Sequence, residues 1–461
     1  MRSTGPQGWK AMTAHPDPAA LLRSRSYLGL LVVAALLGVP VSAAAYGFLA
    51  LVNYLQSELF THLPHGLGFA SAPAWWPAPV LVVGAALVAV AIKRLPGNGG
   101  PSPAAGFKMH KSPTATQLPG VVAAALATLS FGMVLGPEMP LILLGGGLAA
   151  AALRFVKKDA PEQASAVVAS AGSFAAISTL LGSPIVGAFL LMEASGLGGA
   201  MLGVVLVPGL LAAGIGSLIF VGLDSLTGLG TFSLAIPGLP AFSRPNIGEF
   251  GWAIVIGLAA TLIGTALHRL APRVHRYADQ RAMLILPVAG LVVAALAILF
   301  AEVTGKPASL VLFSGQSGLP QLVQHAASYS AGMLILLLAC KGLAYGASLG
   351  CFRGGPIFPA VFMGAAGGIA LSHLPGLPMV AGLAMGIGAM SAVMLSLPLT
   401  SVLLATLLLG HDGLTVMPLV IVAVVVAHVA SAWIAAPPQP AQSPEAAPQA
   451  PSDAGPAAGR S

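Results

Sequence analysis

The strongest restriction on this chain is its series of long, uncharged, apolar runs. Residues 27–55 carry no charged side chain, and apolar stretches recur at 79–92 and 250–270. About 20 residues of helix cross the hydrocarbon core of a bilayer, so several of these runs are long enough to span it. About ten to fourteen such segments recur along the chain, some too short to span alone. Hydrophobic residues make up 57% of the 461 and charged residues 7%, with a mean hydropathy of +0.91. A soluble globular domain carries a far larger share of charge. The pattern predicts an all-α polytopic membrane protein. Gly at 57 positions and Pro at 38 further predict close helix contacts and broken, tilted helices.

Charge placement predicts the orientation. Arg2, Lys10, Arg23 and Arg25 precede the first run, the connection 57–73 has no Lys or Arg, and Lys93 and Arg94 follow the next run. The positive-inside rule then puts the N-terminal segment (1–26), the 93–111 region and the connection bearing Arg269, Arg273, Arg276 and Arg281 in the cytoplasm. A net charge of +7 is explained by this topology and gives no reason to expect nucleic acid. No short apolar stretch with a small-residue cleavage site precedes the first run, so we read that run as the first helix of a multi-pass cell-membrane protein. From 437 to 461 the chain becomes rich in Pro and Ala and polar, which predicts a disordered tail and no folded regulatory domain after the membrane unit. Cys340 and Cys351 lack metal-ligand spacing and read as small buried residues. Neither metal nor cofactor is expected.

The sequence also repeats itself. GPEMPLILLG (136–145) and GPIFPAVFMG (355–364) share Gly, Pro, Pro and Gly at an offset of 219. GNGGP (97–101) and QSGLP (316–320) match at the same offset, and LGSPIVGAFLL (181–191) aligns with LSLPLTSVLLA (395–405) at 214. Three ordered matches at a nearly constant offset predict two repeats, 27–222 and 246–436, joined by the turn-rich connection 223–245. Helices broken by Gly and Pro in both halves bring their N-termini inside the protein. Unpaired N–H groups and the positive dipole end attract an anion there.

One acid lies where this arrangement makes charge most costly. Glu138 sits between Pro137 and Pro140 within FGMVLGPEMPLILLGGG (131–147). A charge at mid-membrane costs about 2.5 to 3.5 kcal/mol on insertion scales, which argues for a functional acid over an idle one.

In these motifs the chain resembles the CLC family of chloride channels and proton/chloride antiporters. GNGGP is similar to its first signature (usually GSGIP), GPEMP to its second (GREGP), and FRGGPIFPAVFMGAAGG (352–368) to its third (GGxFxP). The run 174–194 resembles the family's helix with a terminal acid, and 395–410 its late counterpart. The resemblance covers about 30–436 and implies a CLC-type inverted repeat of broken, tilted helices, assembled as a homodimer with one pore per subunit. It places Glu138 on the gating glutamate, an anion mimic that binds backbone amides while ionised and swings away when protonated. It further implies an anion path formed by Asn98, Gly99, Gly136, Glu138, Met139, Pro356, Ile357 and Phe358.

Four positions depart from the family pattern. Asn98 replaces the central Ser, although its amide can still donate. Pro356 has no N–H where one would help hold the anion. No Tyr stands in 420–437, where His428 either lines the inner pathway or packs as an ordinary buried histidine. Glu193 matches the first acid of a frequent pair, and Ala194 occupies the place of the inner proton-transfer glutamate. Lys341 and Arg353 flank the third signature; they either concentrate anions or pair with Glu193 or backbone carbonyls.

The resemblance implies a membrane protein that conducts or exchanges chloride or a similar small monovalent anion, with protons as a possible second substrate. A fluoride exporter of the same family is the alternative, followed by an inverted-repeat carrier for another solute. With no HExxH and no Ser plus basic partner arranged for catalysis, an enzyme is not expected.

Overall fold

The computed structural model describes residues 23–196, 200–234, 236 and 238–435. Most of the expected N-terminal segment and the whole tail 437–461 lie outside the described residues. The first half runs through α1 (Arg25–Ser57), α2 (Pro77–Arg94), α3 (Leu118–Ser130), α4 (Glu138–Val156), α5 (Glu162–Ala176), α6 (Pro184–Ser195) and α7 (Ala200–Thr227). The second runs through α8 (Ile247–Gln280), α9 (Ala282–Thr304), α10 (Gly318–Gln324), α11 (Ala331–Cys351), α12 (Ile357–Leu371), α13 (Met379–Leu395), α14 (Pro398–Leu408) and α15 (Gly413–Ile434). Among the described residues, eight spans are long and apolar enough to cross a membrane. The apolar helices α3, α6, α12, α13 and α14 are shorter. At 1.5 Å per residue the 15 residues of α12 reach about 22 Å, short of the roughly 30 Å hydrocarbon core. Such a helix must end inside the protein.

Local sequence explains where the helices start. Pro184 and Pro398 occupy the first turns of α6 and α14, where the missing N–H has no helical partner to lose. Ser183 Oγ accepts from Ile185 N at 3.2 Å, capping α6. The longest helix, α8, starts with a capping box in which Asn246 accepts from Glu249 N while the Glu249 carboxylate accepts from Asn246 N.

The two halves repeat in space as well as in sequence. In the first, α4 packs on α5 where a Cβ on Gly145 would lie 2.4 Å from the Gly172 carbonyl oxygen. In the second, α12 packs on α13 where a Cβ on Gly364 would lie 2.2 Å from the Gly386 carbonyl oxygen. These glycines are related by 219 (145 to 364) and 214 (172 to 386), the offsets of the sequence motifs. Both packings bring backbone against backbone, which only glycine permits. The halves also exchange bonds: Val134 N donates to Ser348 Oγ at 3.1 Å, and Arg353 N donates to Thr128 Oγ1 at 3.3 Å. Residues 134 and 353 are again 219 apart, so each half holds the turn that enters the other half's central helix.

Candidate functional site

At the centre, among the described residues, the chain makes a single antiparallel bridge, between Gly136 and Gly355. Gly136 N donates to Gly355 O at 2.8 Å and Gly355 N to Gly136 O at 2.7 Å. Immediately beyond it, α4 begins at Glu138 with Pro137 as its N-cap, and α12 begins at Ile357 with Pro356 as its N-cap. The N-termini of the two helices therefore meet across a local two-fold, each with a proline in the equivalent place.

Glu138 fills this junction. It is fully buried, and its Oε1 accepts from Ile357 N at 2.5 Å. Its Oε2 has no hydrogen-bond partner among the described residues. The side chain lies over the two bridge glycines: a Cβ on Gly355 would come within 2.1 Å of the carboxyl group, and one on Gly136 within 2.1 Å of Oε2. A carboxylate with one oxygen on a helix N-terminus and the other unbonded occupies a seat suited to a small anion. Phe358 and Met139, next along the two helices, are also buried.

Pro356 caps α12 just as Pro137 caps α4, and the donating amide is that of the following residue. Its carbonyl accepts from Tyr345 Oη at 2.7 Å. The absence of an N–H at 356 therefore leaves Ile357 as the donor to Glu138.

The buried cations Lys341 and Arg353 are bonded to carbonyls and not to Glu138. Lys341 Nζ donates to the carbonyls of Leu310, Val311, Leu312 and Phe313 at 3.0 to 3.3 Å and lies 4.5 Å from the centre of the Phe362 ring. Arg353 Nε donates to Gly100 O at 3.0 Å, and its Nη1 to Phe352 O at 3.2 Å. That bond draws the 97–101 loop up to the third signature. Gly97, Asn98, Gly99 and Gly100 all have positive φ (85°, 50°, 70° and 87°). Asn is among the few residues with a side chain that take such a conformation readily. Asn98 is exposed and Gly99 buried.

Glu193 and His428 lie elsewhere. Glu193 Oε1 accepts from Leu399 N at 3.0 Å, while Oε2 accepts from Thr400 N at 2.7 Å and Thr400 Oγ1 at 2.6 Å. It thus caps α14, and the third motif pair is tied helix to helix at a place where no bond reaches Glu138. His428 lines a cavity of about 620 Å³ with Lys108, His268, Arg269, Ser396 and Ser431. Lys108 and Arg269 make its lining basic. A second cavity of about 300 Å³, toward the far end of α1, is lined by Asn53, Gln56, Pro137, Phe232, Phe313 and Gln316 among others. It carries no charged side chain and reaches the turn before Glu138.

Sequence reasoning passed over Thr128, Tyr345 and Ser348. A signal was present: Lys341, Tyr345 and Ser348 recur at i, i+4 and i+7 on one stripe of an otherwise apolar helix. Each of the three is bonded to a different loop of the core.

The sequence profile of the family described as "Voltage gated chloride channel" matches residues 80–432. The "Putative ion-transport protein YfeO" of Salmonella schwarzengrund (strain CVM19633) is 31% identical over 366 residues, covering 77% of this chain and 84% of that protein. Among solved structures, a slow cyanobacterial Cl-/H+ antiporter superposes with a TM-score of 0.69 at 20% identity, over 87% of this chain and 94% of the other. A CLC-type fluoride/proton antiporter superposes with a TM-score of 0.61 at 19% identity, over 88% and 95%. These structural likenesses are of fold. Two helix N-termini crossing at Gly136 and Gly355, an all-helical inverted repeat, and a family profile that spans most of the membrane unit lead to one conclusion: this multi-pass membrane protein belongs to the CLC, or voltage-gated chloride channel, family.

Proposed function

We propose that the protein moves a small monovalent anion, chloride first among the candidates, across the membrane past Glu138, whose carboxylate acts as the gate. The observation that carries this reading is the Ile357 N–H bonded to Glu138 Oε1 at the meeting of two helix N-termini. An ionised carboxylate there occupies the seat an anion would take. Protonation removes the charge, weakens the bond to the amide and frees the seat. The uncharged cavity at Pro137 supplies an approach from one side. We further propose that the protein works as a homodimer in the cell membrane, with protons acting through Glu138.

The test is anion efflux from proteoliposomes at a series of pH values, for the wild type and Glu138→Gln. Wild-type efflux should rise as pH falls, and Glu138→Gln should give efflux that no longer responds to pH. A variant that keeps the wild-type pH response would exclude Glu138 as the gate.

Fluoride is the second reading. Prolines at both 137 and 356 remove two backbone donors beside the seat, and a fluoride/proton antiporter shares the fold. Efflux of fluoride compared with chloride under equal gradients decides between them.

A further inference from the structure

We infer that Tyr345 is a positioning residue that tunes how tightly the Ile357 amide holds the Glu138 carboxylate. The inference rests on the gate reading above and adds a residue to it. Tyr345 is fully buried on α11, and its Oη donates to the Pro356 carbonyl at 2.7 Å. That carbonyl belongs to the same peptide group as the Ile357 N–H, which donates to Glu138 Oε1. Hydroxyl, peptide and carboxylate thus form one continuous chain of hydrogen bonds. A bond accepted at a peptide oxygen polarises the peptide and makes its N–H a better donor, an effect of about 10–30% per bond in condensed phase. At this peptide the acceptor is charged when ionised, so the gain goes selectively to the ionised gate. Pro356 has no N–H of its own, so Ile357 is the first amide of α12 and the one that bonds to Glu138 Oε1.

The other charged and titratable groups around the gate are engaged elsewhere. On α11 itself, Lys341 is turned to the carbonyls of residues 310–313. On the turn before α12, Arg353 is held by Gly100 and Phe352. On α8, which packs against α11, His268 bonds to the Val393 carbonyl, and His275 to the Gly350 carbonyl and Ser102. Arg154 lies at the opposite end of α4 from Glu138. Tyr345 is therefore the side chain linked to the gate through its own bonding partner.

The experiment is the pH profile of anion efflux from proteoliposomes for wild type, Tyr345→Phe, Glu138→Gln and the double variant. Losing the hydroxyl weakens the hold on the ionised carboxylate, so protonation opens the gate at lower proton activity. The midpoint for Tyr345→Phe should move to higher pH by about half a unit, roughly threefold in proton activity, and Tyr345→Phe should have no effect on the profile in the Glu138→Gln background. Replacing Tyr345 by a fluorinated tyrosine, a stronger donor of similar size, should move the midpoint the other way, and keeps the test available if the phenylalanine variant fails to fold. A Tyr345→Phe profile superimposed on the wild type, or a fluorotyrosine profile without the opposite shift, with Glu138→Gln flat in pH, overturns this inference alone. A Glu138→Gln profile identical to wild type overturns the gate reading and this inference with it.

Discussion

Gly136 and Gly355 face each other through paired backbone hydrogen bonds of 2.8 and 2.7 Å, and they are the same position in the two repeats, 219 residues apart. The local two-fold of the protein passes between them. Pro137 and Pro356 keep the symmetry, which ends one residue later: Glu138 stands in one repeat where Ile357 stands in the other, and the acid of the first bonds to the amide of the second. One half supplies the charge and the other supplies the donor.

Gly355→Ala tests how tightly the carboxylate is seated. The new methyl would fall 2.1 Å from the Glu138 carboxyl. Overpacking of this kind costs about 1–3 kcal/mol, so the thermal midpoint in detergent should fall and the carboxylate should be displaced from the bridge. Removing the obstacle with Glu138→Ala in the same chain should recover most of that loss. Equal losses in both backgrounds would mean that the clash is not with Glu138.

Lys341→Met separates structural cations from anion-attracting ones. Nζ is shared among four carbonyls, so its loss strips the donor from buried acceptors at about 1–3 kcal/mol or more. The variant should unfold at lower temperature while the folded fraction keeps its relative permeabilities to anions. A changed anion preference at unchanged stability would assign Lys341 to the pathway.

Glu193→Ala should weaken α14 at its start. The carboxylate satisfies two backbone amides and the Thr400 hydroxyl, and loss of an N-cap costs about 0.5–2 kcal/mol. Thermal unfolding should show this loss, and the pH profile of efflux should stay in place. A displaced profile would make Glu193 part of the proton route.

Asn98→Gly addresses the loop held by Arg353. Glycine accepts the positive φ of 50° at this position without strain, so stability should hold. If the Asn98 amide contacts the anion, half-saturation of efflux by anion should rise several-fold; an unchanged value would place Asn98 outside the path.

Much of this protein is legible in its sequence because the determining signals are local. Uncharged runs of 20 residues and more need no partner to mark a membrane helix, and prolines such as Pro184 and Pro398 mark helix starts through their own missing N–H. The offset of 219 gave the repeat, since each Gly and Pro records a demand of its own backbone. What the sequence left open were the partners of Lys341 and Arg353, the cap made by Glu193, and the place of Tyr345 and Ser348. Those depend on which face of each helix turns inward and which loop arrives beside it. Glu138 and Ile357 are 219 residues apart in the chain, and only the folding of one repeat against the other brings the amide to the acid.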